Sequence, residues 1–341
     1  MMADYIRTHK KTYLLSMLLI PTAAFVISLL LGKYPIAPSE LLNALYERVF
    51  NLEHSLSEQI YTVIFNIRMP RVLIALTAGA ALSVSGAAYQ GMFRNPMASP
   101  DLLGASAGAA FGAALGILLS LPVIGIQLLS FGFGLAAVLL TYFISTRAKS
   151  SSRLLVLILS GILIGTIFSS LVTLIKYLAD PMSKLPAITF WLMGSLSAVT
   201  ADELTMLALI TAAGIIPLIL LRWRLNVISF EDDEAKALGV NVRLLRIVVI
   251  VCSTMMTSAV VSVAGLIGWI GLIIPHIARM LAGPNFNRLL PASIVYGAVF
   301  LLAVDDMARC IGSMEIPLGV LTSIIGAPFF IYIMLNTRRG W

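Results

Sequence analysis

The sequence is poor in charged residues, and this sets its class. Only 11% of its 341 residues are Asp, Glu, Lys or Arg, whereas 59% are hydrophobic. Soluble domains carry about 25% charged residues, so a soluble globular protein is excluded. The net charge of +7 needs no nucleic-acid partner, because basic residues accumulate in the inner loops of membrane proteins. The composition predicts an all-α polytopic membrane protein.

Cysteine, histidine and catalytic motifs are also scarce. Cys252 and Cys310 both lie in apolar segments, which favours neither a disulfide framework nor a thiolate metal site. The three histidines are far apart in sequence and form no ligand cluster. The only Gly-Lys pair, Gly32-Lys33, is followed by Tyr34, so the phosphate-binding loop of ATPases is absent, and no protease or hydrolase motif occurs. We therefore expect a protein that is not an enzyme and binds no cofactor or metal itself.

Apolar segments of about 20 residues predict the membrane spans. The uncharged stretch 247–278 is about 48 Å long as a helix, too long for one span of about 30 Å, and we expect two short spans that bend at Gly265, Gly268 and Gly271 with Pro275 interrupting the second. The chain is thus predicted to be a single transmembrane domain, 1–341, with ten spans: 12–31, 72–91, 102–121, 123–146, 154–178, 204–221, two within 247–278, 289–304 and 316–335.

The distribution of basic residues predicts the orientation of the spans. With both termini in the cytoplasm, most of the 23 Lys and Arg residues fall on the cytoplasmic side. This bias is the one that membrane insertion produces. We therefore expect a multi-pass protein of the cytoplasmic (inner) membrane, in contact with lipid.

The longest charged run between apolar segments is 222–246, called the coupling segment here. Ser229 is spaced to cap a short helix that ends at Gly239, and Asn241 to cap a second short helix. One interpretation is a solvated loop whose charges set topology. The other is a rigid cytoplasmic surface that docks a soluble partner.

Small residues recur at helical spacing along two spans. Gly79, Ser83, Ala87 and Gly91 share one face of the second span, and a glycine stripe runs through the third span at Gly104, Gly108, Gly112 and Gly116. In lipid, such faces let helices approach backbone to backbone. The stripes predict a compact bundle.

The fifth span carries a polar face. Thr166, Ser169, Ser170 and Thr173 lie at helical spacing, and their hydroxyls could either hold helices together or line a watery path. The following piece, 185–199, is too short to cross and could form a short helix over the outer mouth.

Arginines and acids mark the predicted outer ends of two spans. Arg68 and Arg71 could extend to lipid headgroups or present positive charge to an acidic partner. Asp306 and Arg309 are spaced to form an ion pair.

Several motifs in order resemble one family of membrane proteins. They include RMPR at 68–71, RNPMASPDLLG at 94–104, ALGV at 237–240, GLIGWIGL at 265–272 and PLGVLT at 317–322. Together they resemble the permeases of ABC importers for iron siderophores, haem and cobalamin, over most of the chain.

The resemblance implies a machine and a role for particular residues. It implies a permease pair, expected as a homodimer, with two cytoplasmic ATPases that bind ATP and Mg, and an extracytoplasmic substrate-binding protein. By the same resemblance, Arg68, Arg71 and Arg309 dock the binding protein, and the translocation path includes Thr166, Ser169, Ser170, Thr173, Trp191, Met193 and Ser195. The implied ATPase contact comprises Ser229, Glu231, Asp232, Asp233, Glu234, Ala237, Leu238, Gly239, Val240 and Arg243.

The substrate and two other functions stay open at this point. A ferric siderophore is the expected cargo, with cobalamin, haem or an oxyanion as alternatives for the same machine. A different class would be an ion-coupled secondary transporter that uses Asp305 and Asp306, since carboxylates within membranes are commonly functional. A third possibility is an anchoring subunit without transport.

Overall fold

The computed structural model describes residues 10–52, 55–148 and 153–336, and within these ranges every regular element is helical. The first half contains α1 (Lys10–Leu30), α2 (Pro38–Phe50), α3 (Glu58–Tyr61), a π-helical turn (Thr62–Arg68), α4 (Met69–Phe93), a 3₁₀ turn (Pro100–Leu103), α5 (Ala105–Leu118), α6 (Val123–Arg147) and α7 (Arg153–Leu178). The second half contains α8 (Lys184–Met193), α9 (Ala201–Leu220), α10 (Arg222–Val227), α11 (Asp232–Ala237), α12 (Val242–Ala264), α13 (Ile270–Ala282), α14 (Phe286–Cys310) and α15 (Leu318–Asn336).

Helix α4 is the centre of the bundle. It packs against α9, α12, α13 and α14, and nearly all of its residues are buried. In contrast, the most apolar stretches of α6, α7 and α9 are largely exposed. Because their exposed side chains are Leu, Ile, Val and Phe, these helices form a surface suited to lipid or to another membrane subunit.

Glycines set the distance between the central helices. A Cβ on Gly79 would lie 2.2 Å from the carbonyl oxygen of Gly297 in α14, and a Cβ on Gly112 would lie 2.2 Å from that of Leu129 in α6. The backbones therefore touch directly, as the glycine stripes predicted.

The bend within 247–278 is confirmed, with a change of detail. Helix α12 has 23 residues and ends at Ala264, so the first of the two spans is of full length rather than short. Gly265, whose φ of +70° favours glycine, follows it, and α13 begins at Ile270. Gly271 lies inside α13 rather than in the bend. Pro275 does not interrupt the helix, which continues to Ala282.

Several predicted bounds differ from the structure. The third span was expected from residue 102, but a 3₁₀ turn precedes Gly104, whose φ of +84° delays α5 until Ala105. The second span is longer than predicted, because the helix extends back through the π turn to Glu58. The polar linker after the first span contains α2, which was not predicted.

Length and hydropathy identify six helical stretches in the described residues that could cross a membrane, and four shorter apolar helices accompany them. These segments coincide with the ten predicted spans, but the count of ten stays a prediction. The ends of the chain, for which a cytoplasmic location is predicted, lie outside the described residues.

Candidate functional site

A groove of about 690 Å³ lies between α5 and α7. All four hydroxyl residues of the predicted polar face line it: Thr166, Ser169, Ser170 and Thr173. The Thr166 hydroxyl donates to the Ile162 carbonyl at 2.8 Å, so it satisfies its own helix while its side chain stays exposed. The groove is therefore accessible, and its mostly small and apolar lining carries scattered hydroxyls.

The opposite wall of the groove comes from the connection between α4 and α5. Ser99, Asp101 and Leu102 line it, together with Ser106 from the first turns of α5. The Ser106 hydroxyl donates to the Asp101 carboxylate. Asp101 is the single charged side chain among the groove's lining residues in the described chain. Asp101 and Ser106 were not among the predicted path residues, although a carboxylate at the edge of a predicted span was a usable signal.

The remaining predicted path residues lie beside this groove. Trp191 and Ser195 line a second cavity of about 350 Å³, to which Gln127 and Glu203 also contribute. Met193 is half-buried and lines neither of the two cavities. The predicted path residues are thus neighbours, but they do not form one continuous surface within a single chain.

The short helix in the piece 185–199 exists as α8, and backbone contacts anchor its end. The Ser195 amide donates to the Ala264 carbonyl at 2.9 Å, and the Leu318 amide donates to the Gly194 carbonyl at 2.9 Å. Through these bonds the end of α8 joins the end of α12 and the start of α15. The segment 194–195, which lies beside the groove, is therefore held in place by hydrogen bonds to the ends of α12 and α15.

The coupling segment differs from its prediction at its start. Helix α11 is capped by Glu231, whose amide donates to the Glu234 carboxylate at 3.4 Å, and not by Ser229. The Ser229 hydroxyl instead donates to the Leu225 carbonyl at 3.4 Å, because Ser229 follows a short helix, α10, that was not predicted.

The end of α11 agrees with the prediction. Gly239 has a φ of +77°, and the Val240 amide donates to the Ala235 carbonyl at 3.1 Å, the pattern of a glycine-terminated helix. Asn241 caps the next helix, since its side-chain oxygen accepts from the Leu244 amide at 3.0 Å. That helix is α12 and is long rather than short.

The coupling segment has an exposed face and a buried face. Ala235, Val240, Val242 and Leu245 are buried against the bundle. Phe230, Leu238 and Leu244 are each more than half exposed. Around them lie the exposed residues Ser229, Glu231, Asp233, Glu234, Ala237, Gly239 and Arg243. This apolar surface within a rim of charged residues suits a docking face for another protein, whereas Val240 is buried.

Two acids of α11 have different surroundings. Asp233 is 95% exposed and pairs only with Lys236 of its own helix, at 2.8 Å. The hydrogen bond from Lys236 lowers the pKa of Asp233 below its usual value. Asp232 instead accepts from Arg94 at the end of α4 and from Arg246 of α12, both at 2.7 Å.

The three predicted docking arginines lie at the opposite end of α4 from Arg94, about 35 Å away at 1.5 Å per helical residue. Arg68 and Arg309 both hold the end of α1. The Arg68 guanidinium donates to the Leu29 carbonyl at 2.7 Å, and the Arg309 guanidinium donates to the Ser28 carbonyl at 2.6 Å. Arg309 also pairs with Asp306, as the spacing predicted.

Arg71 pairs with two carboxylates. Its guanidinium lies 2.9 Å from Asp305 and 2.8 Å from Glu315. The side chains of Arg71 and Asp305 are 8% and 0% exposed, and that of Glu315 is 34% exposed. All three predicted docking arginines are therefore buried, with partners inside the chain.

Comparison with known proteins places the chain among transporters. The model of the FecCD transport family matches residues 18–336. The molybdate import system permease protein MolB of Haemophilus influenzae is 40% identical over 96% of this chain and 95% of its own. A probable iron chelatin transport system permease of Helicobacter pylori is 42% identical over 81% of this chain and 83% of its own.

A solved structure agrees with these relatives. It is described as an inward-facing conformation of a metal-chelate type ABC transporter, and it matches with a TM-score of 0.86 at 36% identity. The match covers 96% of this chain and 100% of that one. The resemblance drawn from the motifs is confirmed: the chain belongs to the FecCD transport family, as a multi-pass permease of ABC importers.

Proposed function

We propose that this permease couples ATP hydrolysis on separate cytoplasmic subunits to import of a metal chelate through the groove between α5 and α7. The exposed face of the coupling segment carries the proposal. Its half-exposed Phe230, Leu238 and Leu244 stand within a rim of charged residues, and a lone loop between spans has no need of such a surface. ATP and Mg belong to the partner ATPase.

The complete machine is a dimer of permeases with two ATPases and an extracytoplasmic binding protein. The groove residues lie on the largely exposed helix α7. A second copy of the chain placed against α7 would enclose the groove between the two permeases. In this machine the chain crosses the cytoplasmic membrane with both termini in the cytoplasm, and the end of the helix bundle that contains Arg71 faces the outside.

Docking of the binding protein by Arg68, Arg71 and Arg309 stays part of this proposal. Because these arginines are buried, a carboxylate of the binding protein can reach one of them only by displacing the group that it now contacts within the chain. Glu315 is the accessible one, since its side chain is 34% exposed. We expect docking to exchange Glu315 for an acidic residue of the binding protein at Arg71.

The ion-coupled alternative has lost its basis. Asp305 is fully buried and pairs with Arg71, and Asp306 pairs with Arg309. Both carboxylates are thus engaged by arginines. Membership of the FecCD transport family supports ATP as the energy source instead.

The cargo we favour is a ferric siderophore. The groove offers hydroxyls and one carboxylate, with no basic side chain among its lining residues in the described chain. Such a surface suits a neutral or cationic chelate better than an oxyanion. Molybdate is the second candidate, because a molybdate permease is 40% identical over nearly the whole chain.

The test is uptake into liposomes that contain the permease, its ATPase and its binding protein. Radiolabelled ferrichrome, molybdate, haemin and cobalamin are offered separately, with and without ATP. We expect ATP-dependent uptake of ferrichrome, and loss of both uptake and ATPase co-purification in the Glu231→Lys, Asp233→Lys double variant. Uptake that follows a proton gradient and ignores ATP would refute the proposal. ATP-dependent uptake of molybdate alone would refute the cargo and keep the machine.

A further inference from the structure

Arg94 has a backbone conformation that its own side chain disfavours. It follows α4 directly, with a φ of +50° and a ψ of 36°, in the left-handed region. The amides of Arg94 and Asn95 donate to the Gly91 and Gln90 carbonyls and so terminate the helix. Glycine is the usual residue at this place because it has no Cβ. Contacts of the side chain therefore have to favour arginine over glycine at this position.

The Arg94 side chain reaches the coupling segment by two bonds. Its Nη2 donates to the Asp232 carboxylate at 2.7 Å, and its Nε donates to the Ile228 carbonyl at 3.2 Å. Asp232 is the first residue of α11, and the same carboxylate oxygen accepts from Arg246 of α12 at 2.7 Å. One carboxylate thus joins the ends of α4, α11 and α12.

The chain after Arg94 leads directly to the groove. Asn95 stiffens it, because its side-chain oxygen accepts from the Met97 amide at 2.9 Å and its carbonyl accepts from the Ala98 amide at 3.0 Å. Ser99 and Asp101 then form part of the groove wall. Only a few residues with local hydrogen bonds separate the Asp232 contact from that wall.

We propose that Arg94 and Asp232 form the link through which movement of α11 reaches the groove. Arg94 is a positioning residue: it contacts neither the groove nor the exposed docking face. The proposal rests on the proposed function, in which α11 seats on the ATPase. The contacts divide the acids of α11 into two classes, with Asp233 facing outward and Asp232 binding inward to the permease.

The test separates coupling from assembly. Arg94→Gly removes the side chain while it favours the backbone conformation, and Arg94→Lys keeps the charge. Asp232→Asn and the double variant Arg94→Gly, Asp232→Asn complete a double-mutant cycle. Asp202→Asn is the control, since Asp202 is exposed in the first turn of α9 and the variant removes an equal charge without touching Arg94 or the docking face.

The readout is independent of cargo. Ser169 in the groove is replaced by cysteine on a Cys310→Ser background, because Cys310 is exposed and Cys252 is buried. In liposomes with the ATPase, the rate of labelling by an impermeant maleimide is measured with and without ATP. ATP hydrolysis, ATPase co-purification and the thermal midpoint are followed in the same samples.

We expect ATP to change the labelling rate at least about fivefold in the parent and in Asp202→Asn, the lower end of usual coupling between sites. Arg94→Gly and Asp232→Asn should lose this ATP-dependent change in labelling. ATP hydrolysis, co-purification of the ATPase and the thermal unfolding midpoint should stay as in the parent. The double variant should be no worse than the worse single variant, and Arg94→Lys should recover part of the change.

Three results would overturn the link. The first is an unchanged ATP response in Arg94→Gly. The second is an equal loss in Asp202→Asn, which would point to a general effect of surface charge. The third is loss of the ATPase from the complex, which would place Asp232 in the docking face. If the parent itself shows no response to ATP, the proposed function fails and the link falls with it.

Discussion

The close contact between Gly79 of α4 and Gly297 of α14 gives a sharp prediction about stability. A Cβ on Gly79 would lie 2.2 Å from the Gly297 carbonyl oxygen and 2.9 Å from the Leu301 Cβ. In return, a Cβ on Gly297 would lie 2.4 Å from the Gly79 carbonyl oxygen. Ordinary contacts of a Cβ begin at about 3.4 Å. The two helices would have to separate by about 1 Å to accept one methyl group.

The size of the effect follows from packing. Overfilling a close-packed core costs about 1–3 kcal/mol. Replacing glycine by alanine stabilises a helix by about 1 kcal/mol, and this gain offsets part of the overpacking cost. We therefore expect Gly79→Ala to destabilise the protein by up to about 2 kcal/mol, which is the overpacking cost less the gain in helix propensity.

A matched control exists in α6. A Cβ on Gly132 meets nothing within 4 Å, so Gly132→Ala should be neutral or stabilising by up to about 1 kcal/mol. The assay is the thermal unfolding midpoint of the purified protein in detergent. Equal midpoints for Gly79→Ala and Gly132→Ala would refute the claim that direct backbone contact holds α4 on α14.

Three further predictions concern charge, pH and the groove. Asp305→Ala should cost about 1.5–3 kcal/mol by the same assay, because it removes hydrogen bonds between charged groups and leaves the buried Arg71 with Glu315 as its carboxylate partner, and an unchanged midpoint would contradict this. The ion pair of Asp233 with Lys236 should be intact at neutral pH and should be lost as pH falls through the lowered pKa of Asp233; carboxyl NMR checks this, and a titration at the ordinary value would count against it. Thr166→Val should reduce uptake severalfold while Thr205→Val, which removes an equivalent exposed hydroxyl bonded to its own helix, should not; equal uptake in both would remove the groove from the path.

Much of the fold could be predicted because lipid constrains sequences strongly. Apolar length located the spans, and the uncharged stretch 247–278 was too long for one helix and too short for two full ones. Glycine spacing identified the faces on which α4 and α5 pack. These features depend on composition and period, which a single sequence displays.

Other features depend on contacts that sequence spacing does not encode. Ser229 has good capping chemistry, but a preceding helix, α10, uses its hydroxyl, so the cap falls to Glu231. The family resemblance assigned Arg71 to docking of the binding protein, and this stays a prediction. Its partners within the chain, Asp305 and Glu315, are more than two hundred residues away in sequence, so spacing could not reveal them.

Only part of the candidate site could be predicted, because helix spacing describes one of its walls and not the other. The hydroxyls of α7 share one helix face, so their spacing revealed the groove's first wall. Its second wall, with Asp101 and Ser106, comes from a connection between helices whose path no periodicity describes. The link between Arg94 and Asp232 likewise joins motifs that are far apart in sequence.

The most direct measurement is an electron cryomicroscopy map of the permease with its ATPase and binding protein, trapped with cargo in a lipid nanodisc. The account predicts two copies of the chain with their grooves facing one central path, and cargo beside Thr166, Ser169 and Asp101. It also predicts the ATPase against the exposed face of the coupling segment. Grooves that face lipid, with cargo density elsewhere, would contradict it.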